Sequence, residues 1–365
     1  PGRPKARAAR RGLDPRAGLR SFPGMDSPRS CPRVSRRRAL ALGMGLPAVA
    51  LSGRGRAAAL AEAEAAAARL DQLHSLVVVA DGTERLSRAF RGPPPGRPVN
   101  VKSVSKTVVA LLTGIAIENG VLPGPEAPLG EVAPGLIPAG ADPRVARITL
   151  ADLLTMRAGL ARTSGPNYGA WVASGNWVAH ALTRPFRAAP GERFQYSTGS
   201  YHVLGAALAS AAGRSLLDLA RDWLGDPLGL EIPPWTRDPQ GVYMGGNNMA
   251  LSPRALARIG ETVRRGGVWQ GRQVIPADWI ETSWRPRTRS PFSGDLYGYG
   301  WFLTRLGGAE AAYARGYGGQ MLYVLPERRL TVAITSDPTR PARTHGHVGD
   351  LNRLVAERIL PALGA

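Results

Sequence analysis

Ser103 and Lys106 stand three residues apart at the head of an apolar run that continues to Glu118. In a helix, residues three apart share a face. A lysine beside a serine hydroxyl, partly withdrawn from water, can lose its proton near neutral pH and act as base for the serine. That chemistry is acyl transfer through an acyl-serine intermediate. Ser-x-x-Lys is common by chance, so other segments must supply the remaining groups.

Two segments do so. Phe194-Gln195-Tyr196-Ser197-Thr198 reads as a loop before a helix that begins near Tyr201. A phenol near a lysine ammonium ionises more easily and can relay a proton to a leaving group, which makes Tyr196 a candidate. Gly316-Tyr317-Gly318-Gly319-Gln320 leads into an apolar strand from Met321. Glycines on an edge strand let a substrate approach the backbone closely. A backbone N–H there can pair with the N–H of Ser103 as an oxyanion hole.

The elements that must position these groups follow from pattern. Residues 60–73 read as an amphipathic, Ala-rich helix, and Leu76 to Ala80 as a short buried strand closed by the turn signal Asp81-Gly82. Leu86 to Phe90 could pair with it. Gly92 to Gly96 is a loop. Asn100 to Ser103 enters the helix ending at Glu118, and Asn119-Gly120 closes it. Helical patterns and loops fill about 121–250, clearest over Ile148 to Met156 and Tyr201 to Ala212. Strand patterns return at Tyr297 to Leu306, Met321 to Leu325 and Leu330 to Ser336, and Leu351 to Leu360 is a closing helix. Strands at both ends with helices between predict one sheet assembled from both termini and a helical insertion. No internal repeat is present.

Composition narrows the function classes. At 365 residues the chain holds one large domain or two modest ones, and 44% hydrophobic content places the bulk in the globular class. The net charge of +20 suggests a nucleic-acid binder, but residues 1–56 carry fourteen Lys/Arg and two Asp, which leaves +8 for the rest. No basic run is interleaved with aromatics, which argues against nucleic acid. Cys31 is the single cysteine, so an intramolecular disulfide and a thiolate metal site are excluded.

The first 59 residues read as an export leader. Met25 is a plausible initiator. Ser35-Arg36-Arg37-Arg38 precedes an uncharged stretch from Ala39 to Gly53, too short to span a bilayer and the right length for a signal core. Ala57-Ala58-Ala59 offers small residues for cleavage, upstream of which Cys31 would be lost. Paired arginines before a mild apolar core resemble a twin-arginine signal, which implies a periplasmic or extracellular protein with no stable membrane span.

Ser-x-x-Lys, then a Tyr motif, then a Gly-rich strand, in that order, resembles the serine β-lactamase and penicillin-binding superfamily. Ile148-Thr149-Leu150-Ala151-Asp152-Leu153-Leu154-Thr155-Met156 with Ala158-Gly159-Leu160 is similar to the class C branch. Trp235, Asp238-Pro239-Gln240-Gly241, Gly245-Gly246-Asn247-Asn248-Met249 and Gly316 to Gln320 look like its esterase and 6-aminohexanoate-oligomer hydrolase relatives. The resemblance covers about 75–362. It implies an α+β fold of the β-lactamase/transpeptidase type: an antiparallel sheet from both termini (60–120 and 250–365) flanked by helices, with a mostly helical insertion at 121–250. It also implies Ser103 as nucleophile, Lys106 as base, Tyr196 as relay, and the backbone N–H groups of Ser103 and Gln320 as oxyanion donors. Thr198, Tyr317, Gly318 and Gly319 would face substrate, and no metal or organic cofactor is implied. Two departures stand out. Thr198 replaces the usual asparagine of the Tyr motif, and Tyr317-Gly318-Gly319 stands where β-lactamases carry Lys-Thr-Gly, which lowers the expectation of efficient β-lactam hydrolysis.

The expected activity is cleavage of a small-molecule ester or amide. Alternatives are a carboxypeptidase or transpeptidase acting on D-Ala-D-Ala-type peptides, a weak β-lactamase, or a non-catalytic binding or sensor module of the same fold. Ser105 more often caps or packs locally. Tyr168, Trp171 and Trp177 form either an aromatic wall or core. His345-Gly346-His347 with Asp350 has no clear third ligand and reads as a polar loop.

Overall fold

Leu76-Val77-Val78-Val79-Ala80 is apolar at every position, so as a strand it needs cover on both faces. The computed structural model describes residues 53–364 and gives it that cover. Strand β1 (Leu73–Ala80) is buried at all but one residue and pairs with β2 (Thr83–Ala89) through a turn in which Asp81 and Gly82 both take positive φ. The remaining sheet strands are β3 (Thr288–Arg289), β4 (Leu296–Tyr297), β5 (Phe302–Leu306), β6 (Ala309–Gly316), β7 (Gln320–Leu325) and β8 (Leu330–Ser336). Their order across the sheet is β2-β1-β8-β7-β6-β5-β4-β3, and the pairings are antiparallel. Leu76 opposite Ile334 and Val78 opposite Val332 join the two ends of the chain. The architecture is therefore α+β, with a sheet built from both termini.

Two strand expectations are revised. Tyr297 to Leu306 is not one strand: Gly300, at φ +77, turns the chain and splits it into β4 and β5. The Gly-rich segment is not on an edge strand but is the turn between β6 and β7, in the middle of the sheet.

Five helices matter for the site. Helix α1 (Gly53–Ala68) begins earlier and ends earlier than expected, because Leu73 already belongs to β1; it packs on the C-terminal helical segment. The leader expectation otherwise lies outside the described residues. Helix α2 (Val104–Glu118) is buried from Val104 to Ala116, as an all-round apolar helix must be. Gly114 lets it lie against Trp279, since a Cβ there would come within 2.1 Å of the indole. Helix α3 (Thr198–Ala212) starts three residues earlier than expected and ends at Gly213 in the left-handed conformation. Helix α4 (Pro253–Arg264) packs on β1, β7 and β8. Helix α5 (His347–Arg353) continues through further helical turns to Ala362. In the expected insertion, only Leu150–Leu154 of the Ile148 to Met156 stretch is helical, closed at its start by a capping box between Thr149 and Asp152. No single helix among the described residues is long and apolar enough to cross a membrane.

Candidate active site

Ser103 is the N-cap of α2 and contributes no side-chain cap, which leaves its hydroxyl free for other work. The residue before it, Lys102, holds φ +51, a conformation uncommon for a side chain with a Cβ. That strain is held by its surroundings: the Lys102 N–H donates to Asn100 Oδ1 (2.9 Å), and the Val101 N–H donates to the carbonyl of Met249 (3.0 Å). Ser105 fastens the same corner, donating to the Lys102 carbonyl and accepting from the Met249 N–H. The local packing role expected for Ser105 is what the structure contains.

One turn into α2, Lys106 is only 2% exposed. Its Nζ lies 2.9 Å from Ser103 Oγ, 3.3 Å from Thr198 Oγ1 and 2.5 Å from the carbonyl of Gly246. No carboxylate pairs with it among the described residues, so burial acts unopposed and holds its pKa well below the usual lysine range. Gly246 is needed for this arrangement. A Cβ there would stand 2.5 Å from the Thr198 carbonyl, so only glycine lets the loop press onto α3 and aim its carbonyl at the amine. Thr198 is itself held by Ser164, which accepts from the Thr198 N–H (2.8 Å) and shares a hydroxyl bond with it (2.9 Å). At position 198, where the resemblance implies an asparagine, the threonine hydroxyl accepts from the amine together with the Gly246 carbonyl.

Tyr196 lies beside this pair, its hydroxyl near enough to Ser103 for the serine to favour its ionised form, and its ring facing Lys106 Nζ at 4.9 Å from the centroid. Its pKa differs from the expectation. Burial pushes the phenol up to about 12, outweighing the bond from Ser103 and the charge of Arg315. The amine meets the ring face rather than the oxygen, so Tyr196 is a protonated phenol at neutral pH.

Ser103, Tyr196, Thr198, Tyr317 and Gly316 line one cleft of about 730 Å³, with Lys106 behind it. Gly318, Gly319 and Gln320 do not line it. A Cβ on Gly318 would meet the Asp337 carbonyl at 2.3 Å, and one on Gly319 the His347 ring at 2.8 Å, so Gly318 faces the loop after β8 and Gly319 the start of α5. Gln320 is 1% exposed, and its amide bonds both the N–H and the carbonyl of Ser336, bracing the turn. Tyr168 reaches the cleft, whereas Trp171 and Trp177 are core residues packed around His202. His347 bonds Ser336, and no cluster of three metal-ligating side chains occurs among the described residues. Sequence reasoning missed Ser164, which has no signature beyond being a serine, and the Gly246 carbonyl, whose signal was present as the Gly245-Gly246 pair.

Comparison with known proteins places the fold that carries this site among known families. The D-alanyl-D-alanine-carboxypeptidase/endopeptidase AmpH of Escherichia coli K12 is 26% identical over 212 residues, covering 53% of this chain and 53% of AmpH. The chain therefore spans about half the length of the curated relatives it matches. A 6-aminohexanoate-dimer hydrolase candidate from Bacillus anthracis superposes with a TM-score of 0.68 at 17% identity, over 80% of this chain and 79% of that one. EstCE1, a hydrolase with promiscuous acyltransferase activity, superposes with a TM-score of 0.67 at 18% identity, over 86% of this chain and 99% of that one. At such identities the superpositions speak for the fold. The family described as Beta-lactamase matches residues 64–357, so the chain belongs to the β-lactamase and penicillin-binding-protein superfamily, with the general serine-hydrolase chemistry of that fold.

Proposed function

We propose that this protein hydrolyses a small-molecule ester or amide through an acyl-Ser103 intermediate. The observation that carries the proposal is the uncompensated burial of Lys106 at 2.9 Å from Ser103 Oγ. A neutral amine there accepts the serine proton as Oγ attacks the carbonyl carbon. The N–H of Ser103 opens the first turn of α2, where amide dipoles favour negative charge, and would be one oxyanion donor. The strand-side donor would be a backbone N–H of the turn between β6 and β7, that of Gln320 as the resemblance implies or that of Tyr317, which follows Gly316 at the cleft wall. The Tyr196 phenol passes a proton to the leaving group as the tetrahedral intermediate collapses and recovers it from the attacking water in deacylation, while Lys106 returns its proton to the departing Ser103 Oγ. No step calls on a cofactor.

Short 4-nitrophenyl acyl esters test this. We expect a burst of one equivalent of nitrophenol per chain where deacylation is slow, and none from Ser103→Ala. Undiminished turnover by Ser103→Ala would remove the assignment. Amide oligomers and β-lactams follow in the same assay.

A second reading is favoured by the relationship to AmpH: carboxypeptidase or transpeptidase action on peptides ending in D-Ala-D-Ala. Release of D-alanine from such a peptide, or its exchange for an added amine, would select it. Export by a twin-arginine route is proposed from Arg36-Arg37 and the Ala39 to Gly53 stretch. Fusing residues 25–60 to a reporter tests it, and a reporter left in the cytoplasm would end it.

A further inference from the structure

The cleft beside Ser103 adjoins a second hollow of about 600 Å³, and the two share Arg162, Tyr196 and Phe292. Their combined lining holds six cations, Lys102, Arg162, Arg184, Arg187, Arg193 and Arg315, and no carboxylate. The whole chain has 47 basic to 27 acidic residues, so the imbalance belongs to this place and not simply to the composition. None of the six is in an ion pair among the described residues, although ten other arginines are. Two are instead held by neutral acceptors, which fix position without cancelling charge. Arg184 donates to the Ala161 carbonyl (3.4 Å), and Arg315 donates to Thr344 Oγ1 and the Ala342 carbonyl (3.0 Å each). The Arg162 guanidinium stands 6.0 Å from the Phe292 ring, on the ridge between the hollows.

We propose that Arg162, Arg184, Arg187 and Arg193 form a subsite for a carboxylate or phosphate that the substrate carries away from the bond Ser103 attacks. The proposal rests on the ester or amide hydrolase reading and adds the substrate's charge. A concave surface of one sign concentrates ligands of the other. Guanidinium forks match the paired oxygens of carboxylates and phosphates, which makes arginine suited to this task. Because Tyr196 belongs to both hollows, an anion in the second lies next to the acyl-transfer centre and would orient the substrate across it.

Two ester pairs probe the subsite. One is 4-nitrophenyl butyrate against 4-nitrophenyl hemiglutarate, with the charge on the acyl side. The other is phenyl acetate against 4-acetoxybenzoate, with the charge on the leaving group. In at least one pair the wild-type protein should favour the anionic member by about tenfold or more in kcat/KM at low salt, and less at high salt. That ratio should collapse in Arg187→Glu with Arg193→Glu, and fall in Arg193→Gln, which changes one exposed side chain. Equal rates within both pairs, or a ratio untouched by both variants, would overturn the subsite. Calorimetric titration of Ser103→Ala with benzene-1,3,5-tricarboxylate gives a reading without chemistry. Saturable binding that weakens by about tenfold when Arg187→Glu and Arg193→Glu are added supports the subsite even if no ester is cleaved, in which case only the hydrolase reading falls. Turnover of neutral esters with no tricarboxylate binding removes the subsite alone.

Discussion

Replacing Lys106 by Met separates chemistry from packing. The methionine keeps an unbranched stem of the same length in a site that is 2% exposed, with sulfur for one methylene, and removes the amine. If that amine is the base, acylation should fall by about 10²–10⁴-fold, the range for a positioned general base. Stability should move little by comparison. The Gly246 carbonyl and Thr198 Oγ1 lose a donor, at about 1–3 kcal/mol for each group left unpaired. Thr198 keeps its bond to Ser164, and the amine no longer has to be desolvated, so the net change should stay within about 3 kcal/mol. Proton linkage supplies a second signature. The folded Lys106 pKa is depressed below 10.5, so between the two values the unfolded chain binds the extra proton. The burial cost is fully present below the folded pKa and is lost as pH rises towards 10.5. Unfolding free energy should therefore climb through that window by up to about 1.4 kcal/mol per pH unit from this residue, and the Met variant should lack that component. Urea unfolding across pH, beside single-turnover acylation of a 4-nitrophenyl ester, reads both. A rate within about tenfold of wild type, in a folded variant, would refute the role given to Lys106.

Tyr196→Phe keeps the ring that faces Lys106 and removes the hydroxyl beside Ser103; turnover should fall by about 10²–10⁴-fold. Because the phenol ionises only at about 12, the wild-type pH–rate profile should show no alkaline fall from Tyr196 short of that value, and such a fall near pH 10 would contradict its protonated state. Gly114→Ala gains about 1 kcal/mol of helix propensity but drives a Cβ to 2.1 Å from Trp279, whose indole is pinned to the Ala110 carbonyl; a net loss of about 1–3 kcal/mol in denaturant unfolding is expected, and an unchanged midpoint would contradict the packing of α2. Asp238→Ala leaves the buried His202 Nε2 and the N–H groups of Gln240 and Val242 without their acceptor, with an expected loss of about 1–3 kcal/mol for each group left unpaired; a change below about 1 kcal/mol would contradict it.

What the sequence shows clearly is local. Continuous apolar runs predict β1, β7 and β8 and the buried α2 with its Asn119-Gly120 stop, because pattern and neighbouring turn chemistry agree there. The strand β6, Ala309–Gly316, was missed: its alanines and charges carry no strand pattern, and pairing with Tyr323 and Leu322 makes it a strand. The placement of the Gly-rich turn in mid-sheet depends on strand order, which no local signal encodes. Ser103, Lys106 and Tyr196 were named from spacing and motif order, and they come together in the folded chain. The surroundings that hold them were not legible. The Gly246 carbonyl reaches Lys106 across 140 residues, and the burial that raises Tyr196 is a property of the packed site.

The central claim is that Ser103 is an activated nucleophile. The most direct test is to treat the full chain with a fluorophosphonate probe, find the modified residue by mass spectrometry, and run Ser103→Ala and Lys106→Met beside it. A single adduct on Ser103, absent from Ser103→Ala and formed far more slowly in Lys106→Met, is the predicted result. No adduct on Ser103 in a folded protein, or equal labelling of Lys106→Met, would contradict it and direct attention to a non-catalytic ligand-binding role for the cleft.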